Sequence, residues 1–148
     1  MAVNITSMRV ILLTILLSSC SVVDQKNSNT PKTTWEKVRA RITYYSPYQD
    51  KWGSKVADPN TSVAKKGITV AAHPKFKFGT EIHIPELKNT FGNKGFIVQD
   101  RGSAITSKKA SKGKYYVFDV FVSSNAEIKK MCKKYPPYMD VYIKKEIK

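Results

Sequence analysis

At 148 residues the chain suffices for one domain around one hydrophobic core and is too short for two sizeable ones. A hydrophobic content of 41%, with 11% aromatic residues, excludes a chain disordered throughout. The 26 Lys and Arg against 11 Asp and Glu leave a net charge of +15, which draws the protein toward polyanions; only four of the bases are Arg, a mix that suits diffuse attraction and not bidentate base reading.

In chain order, Arg9 precedes an uncharged run, Val10 to Leu17, and then Ser18-Ser19-Cys20. A positive start, a short apolar stretch and small residues before a cut make a signal peptide. The run is about half of the roughly 20 residues a spanning helix needs. Leu17-Ser18-Ser19-Cys20 resembles the bacterial lipobox, in which the cysteine is lipidated and becomes the mature N-terminus. That resemblance implies a signal over residues 1–19, a membrane anchor through lipid on Cys20, and a place in the cell envelope. Ser21 is not the Asp that marks inner-membrane retention in many two-membrane bacteria, so the outer membrane, facing the periplasm, is preferred. An ordinary secretory signal with an incidental cysteine is the alternative. Cleavage would remove Arg9 and no acid, leaving 25 bases against 11 acids, or +14.

With Cys20 lipidated no disulfide can form within the chain, and Cys132 is expected as a buried free thiol. His73 and His83 have no nearby Cys partner, so neither a metal nor another cofactor is expected. Residues 20–34 are polar, hold Pro31 and lack aromatics, and read as a tether. The domain is expected over 35–148.

From Trp35 onward short apolar runs alternate with turn residues. Strands are expected over Val38–Tyr45, Gly67–Ala72, Gly79–Pro85, Gly95–Asp100, Tyr115–Val122 and Met139–Ile143. Residues 46–67, with two prolines and two glycines, read as a long loop. Residues 124–134 carry a Ser124 or Asn125 cap, Glu127 in the first turn and lysines in the last, and read as a helix stopped by Pro136-Pro137. Six strands and one short helix after the Asp119 strand suggest a small, mainly β barrel.

Asp119 is the most informative residue. It lies in Val117-Phe118-Asp119-Val120-Phe121-Val122, a run that reads as a strand buried on both faces. Burial raises a carboxyl pKa, which suits a general acid; the alternative is a structural Asp tied to backbone amides or to Arg101. Asp100 ends a strand before Arg101-Gly102-Ser103, where it could pair with Arg101, cap the turn, or face Asp119 and push the two protonation states apart. Tyr44, Tyr45, Tyr48 and Trp52 could line a groove, with one of Tyr44 and Tyr45 turned into the core by alternation. His73, before Pro74, reads first as a turn residue and second as a proton-transfer group.

Gly79-Thr80-Glu81-Ile82-His83-Ile84-Pro85, Val98-Gln99-Asp100-Arg101-Gly102-Ser103-Ala104-Ile105 and Phe118-Asp119-Val120-Phe121, in this order and spacing, resemble the three-aspartate (3D) domain family. Val70-Ala71-Ala72-His73-Pro74 is similar to that family's first segment, and the likeness covers about residues 40–143. It implies a double-psi β-barrel, shared with the C-terminal part of membrane-bound lytic transglycosylase A; Asp100-Arg101-Gly102 also resembles the turn of rare lipoprotein A and expansin-like barrels. By this resemblance Asp119 is the catalytic acid/base and Asp100 its supporting aspartate. Tyr45, Tyr48, Trp52, Arg101, Ser103 and Ser123 are candidate substrate contacts. Ser123 stands where the family has its third aspartate, and Asp100-Arg101-Gly102-Ser103 departs from the usual DTGG.

The implied activity is cleavage of peptidoglycan glycan strands by a lytic transglycosylase or related glycosidase. A non-catalytic, expansin-like wall-binding module is the second reading, and a basic binding lipoprotein without glycan specificity the third. Lysines 108, 109, 112, 114, 129, 130, 133, 134, 144 and 145 read as solvated faces or as contacts to carboxylated peptide stems or anionic lipid. No nucleic-acid reader motif is present, and a monomer is expected.

Overall fold

The computed structural model describes residues 33–49 and 51–147; the signal, the lipobox and residues 20–32 of the tether lie outside them. Six strands close into a barrel: β1 (Thr33–Tyr45), β2 (Thr69–Ala71), β3 (Glu81–His83), β4 (Phe96–Asp100), β5 (Val117–Phe121) and β6 (Tyr138–Glu146), in the spatial order β1-β5-β2-β4-β3-β6. The β1–β5 and β2–β4 pairs are parallel and the others antiparallel, so the sheet is mixed. The mainly β, six-stranded barrel expected from the sequence is therefore the architecture, and all six strands fall where the apolar runs put them.

Alternation explains the core. On β1, Ala40, Ile42 and Tyr44 point inward while Arg41, Thr43 and Tyr45 remain partly open. Met139, Val141 and Ile143 repeat the period-2 pattern on β6. With Val70, Ile82, Val98, Phe118 and Val120 they fill the barrel. Each buried aliphatic side chain of this kind contributes about 1.5–3 kcal/mol. Closure leaves no long unpaired edge.

Element lengths differ from the sequence pattern at three places. β1 begins at Thr33, because Thr33 and Thr34 pair with Glu146 and Lys145 of β6; the last two residues assigned to the tether are strand. β2 keeps three residues, since a register shift between Val70 and Ala71 interrupts its ladder with β4. β3 is equally short and gives way to a 3-10 turn at Pro85–Leu87.

The long helix α3 (Asn125–Lys134) follows β5, as expected, and two single-turn helices, α1 (Lys88–Phe91) and α2 (Ser103–Thr106), occupy loops. Ser124 Oγ caps α3 by accepting the Glu127 N–H, and Glu127 Oε2 accepts the Ser123 N–H in return. The helix buries Met131 and lays Ile128 and Tyr135 against the core. Cys132 is exposed, not buried as its type suggested. One residue past Met131 is a rotation of about 100°, which carries the thiol off the apolar stripe.

Candidate active site

The site is built by strand register. Thr43 of β1 lies opposite Asp119 of β5, Asp119 opposite Ala71 of β2, and Ala71 opposite Asp100 of β4. These four residues form one row across four adjacent strands, and cross-strand partners share a face. Their chain neighbours Ile42, Tyr44, Val70, Phe118 and Val120 belong to the interior, so the row faces outward. The two aspartates flank Ala71 at two strand spacings, about 10 Å between Cα atoms.

A bulge makes this row possible. Val70 pairs with Val98, and regular pairing would set Ala71 against Gln99; the shift brings Asp100 to Ala71 instead. The extra residue turns the Asp100 carboxyl to the face that Asp119 occupies. Gln99, displaced from the ladder, accepts a hydrogen bond from Thr69 Oγ1 (2.7 Å) and donates Nε2 to Thr61 Oγ1 (3.1 Å). Thr61 Oγ1 in turn donates to Asp58 Oδ2 (3.0 Å), and the Asp58 N–H donates to the Gln99 carbonyl (3.0 Å). This partly buried network ties the Asp58–Thr61 part of the long loop to β4.

The result is a cleft of about 470 Å³ whose lining includes Tyr45, Trp52, Ala57, Ala71, Asp100, Arg101, Ile105 and Asp119. Asp119 and Asp100 thus meet in one cavity. Burial pushes the Asp119 carboxyl up to about 6, with a smaller push from the Asp100 charge; a hydrogen bond from Thr43 Oγ1 to Oδ1 (2.7 Å) acts in the opposite direction. Asp100 is held by three donors: Tyr45 Oη to Oδ2 (2.9 Å), and the Ala57 and Arg101 N–H groups to Oδ1 (3.0 and 2.8 Å). One face of β1 therefore serves both acids, Thr43 for Asp119 and Tyr45 for Asp100.

Arg101 does not hold either carboxylate with its side chain. Its guanidinium donates to the carbonyls of Ala72 (3.1 Å), Asp100 (3.1 Å) and Phe76 (2.7 Å) and lies over the Phe78 ring. It braces the turn after β2 while contributing to the cleft wall. Tyr44 is the inward member of the tyrosine pair, as alternation required, and burial raises its pKa. Trp52 stands on the rim, 61% exposed.

Three candidate contacts fall elsewhere. Tyr48, 73% exposed, is not part of the cleft lining. Ser103 opens α2 and is exposed beside cleft-lining Gly102. Ser123 is exposed past the end of β5, its N–H bound to Glu127. His73 accepts the Lys75 N–H through Nδ1 (3.1 Å), the turn role read first for it, and is outside the lining. The sequence reading missed Thr43, Ala71, Ala57 and Asp58. Thr43 and Ala71 left a trace there, each on a strand already assigned, Thr43 two residues before Tyr45 and Ala71 near the end of the Gly67–Ala72 run.

Among the described residues no group of three or more His, Cys, Asp or Glu could hold a metal ion, and no helix is long and apolar enough to cross a membrane. No protein-family model and no curated protein matches the chain.

Proposed function

We propose that this chain is an envelope lipoprotein that cleaves peptidoglycan glycan strands in the manner of a lytic transglycosylase. The carrying observation is a desolvated carboxyl with a pKa of about 6, Asp119, lining one cleft with a second carboxylate, Asp100. Near neutral pH such a group is present in both protonation states, as an acid/base must be.

In this reading Asp119 donates its proton to the glycosidic oxygen after N-acetylmuramic acid, and that C–O bond breaks. The resulting carboxylate takes the proton of the sugar's C6 hydroxyl, whose oxygen bonds to C1. The product is a 1,6-anhydro ring; no water is consumed and Asp119 regains its proton. One acid/base suffices, unlike the two-carboxylate hydrolases. Asp100, oriented by Tyr45, Ala57 and Arg101, stabilises the positive charge that develops on the sugar. Trp52 and Tyr45 offer aromatic surface to the apolar faces of the sugars. The likeness to the three-aspartate family and to the lipobox supports the substrate and the anchor.

The test is incubation of the protein with purified peptidoglycan, reading anhydromuropeptides by mass spectrometry. Products are expected from wild type and none from Asp119→Asn, with the fold retained by circular dichroism. Wild type that pulls down sacculi and releases nothing overturns cleavage in favour of an expansin-like binding module. That second reading draws on Ser123, a serine in the place of a third aspartate and outside the cleft.

A further inference from the structure

Beside the cleft, one cluster has no part in the chemistry above. The Tyr116 ring has Lys108 Nζ at 4.2 Å and Lys75 Nζ at 5.1 Å from its centroid, and the His73 ring meets it edge-on at 5.3 Å. Among the described residues neither lysine has a carboxylate partner; the ion pairs engage Lys37, Arg39, Lys66, His83, Lys144 and Lys145. Glu36, whose carboxyl feels Lys75, is already held by Lys145 at 2.6 Å. Burial first, and then the charges of Lys108, Arg101 and Lys75, hold His73 below the usual imidazole range, so three cations lie within electrostatic reach of the ring.

The backbone that carries Lys108 is held in place. Lys108 sits at φ 54°, ψ 32°, a left-handed conformation that lysine rarely takes. Its carbonyl accepts the Ser111 and Gly113 N–H groups and Ser111 Oγ, which fixes that backbone. Lys112, at the other end of the same turn and outside the cluster, is left-handed too (φ 52°), so the conformation belongs to the turn that presents Lys108. The cluster also adjoins the cleft: His73 comes two residues after cleft-lining Ala71, and Lys108 three after Ile105. Arg101 lines the cleft and holds the carbonyls of Ala72 and Phe76 on either side of His73 and Lys75.

We propose that Lys75, Lys108 and His73, gathered on Tyr116, form a carboxylate subsite for the peptide stems borne by a glycan strand lying in the cleft. The choice of ligand rests on the glycan reading of that cleft. A flat anionic membrane would be met by outstretched lysine heads; here the two ammonium groups are drawn onto one ring around a partly buried imidazole, which suits a discrete anion. The substrate class is thereby peptide-bearing strands in preference to bare glycan.

The experiment uses the full chain and two ligands. In the first arm a synthetic stem peptide, L-Ala-γ-D-Glu-L-Lys-D-Ala, is titrated while the His73 ring is followed by NMR. A bound carboxylate favours the imidazolium, so the His73 pKa should rise, and it should not respond in the Lys75→Gln/Lys108→Gly double variant. Glycine accepts the left-handed backbone at 108, so this change removes the ammonium without adding strain. In the second arm, sacculus strands with stems should bind the double variant at least tenfold more weakly, and amidase-stripped strands should bind it as they bind wild type. A His73 ring indifferent to the peptide, or equal losses on both kinds of strand, overturns the subsite. A response to phosphatidylglycerol vesicles with none to the peptide also overturns it and assigns the cluster to a membrane. If the peptide acts on His73 while no glycan is bound or cleaved, the cleft reading falls and the carboxylate site stands.

Discussion

A carboxyl that holds its proton to about pH 6 in the native chain and releases it near 3.8 when unfolded makes the native state the stronger proton binder between those values. Stability from this group is complete below the lower value and is lost as pH rises through the higher one, in total about 3 kcal/mol. Asp119→Asn has no charge to desolvate, and its side-chain oxygen can still accept from Thr43. The variant should therefore melt at a higher temperature than wild type at pH 7–8, with the gap closing toward pH 4, as thermal scans across pH would show. Thr43→Val tests the opposing force. It removes the hydroxyl that stabilises the charged form, so the Asp119 pKa should move above 6 by about one unit, the size of one charge-assisted hydrogen bond. The basic limb of the cleavage profile, or a carboxyl carbon titration by NMR, would follow it.

At the scale of elements, the short strand β2 carries the spacing of the site. Ala71 separates the two aspartates, and its methyl group leaves the space between them open. Ala71→Leu should place a branched side chain there. Glycan binding and cleavage are expected to fall at least tenfold, and folding stability by about 1–3 kcal/mol; binding assays and denaturant titration separate the two effects. The β3–β4 connection depends on a glycine for a different reason. Gly95 has φ +73°, and a Cβ there would come 2.8 Å from His83 Nε2 and 2.9 Å from the Ile82 carbonyl. Gly95→Ala should cost about 2–4 kcal/mol, since a backbone atom of the barrel must shift. Gly113, at φ +79° in open space, should cost only the conformational penalty of about 1–2 kcal/mol on the same change. Urea midpoints would order the two.

For the whole molecule, the net charge, +14 once Arg9 is removed with the signal, and the proposed lipid on Cys20 act at different ranges. Cys20→Ser should move the protein from the membrane to the soluble fraction, and mass spectrometry of the N-terminal peptide should lose its acyl mass. Attraction of the domain to intact sacculi should weaken with salt as the screening length falls to about 3 Å near 1 M. Aromatic stacking in the cleft should persist, so residual binding at high salt measures the groove and the salt-sensitive part measures the lysines. Much of the fold was legible from the chain alone. The apolar run around Asp119 showed a strand buried on both faces and hence a desolvated acid. Alternation along β1 required one of Tyr44 and Tyr45 to enter the core, and the structure decided that it is Tyr44.

What the sequence by itself determined follows from period and composition: six strands, one capped helix, and a single acid sunk in apolar neighbours. Each of these depends on residues close together in the chain. The site depended on register, which exists only once the barrel has closed. The bulge at Val70/Ala71 that swings Asp100 beside Ala71 is a property of two paired strands, and neither strand shows it alone. The same holds for the Thr43 hydroxyl on Asp119, 76 positions away, and for the Ala57 amide on Asp100, 43 positions away. Burial could be read locally because it reflects each residue's own cost of leaving water; the pairing of the two acids could not, because hydrogen bonds and ladder partners across such separations form only in the tertiary structure.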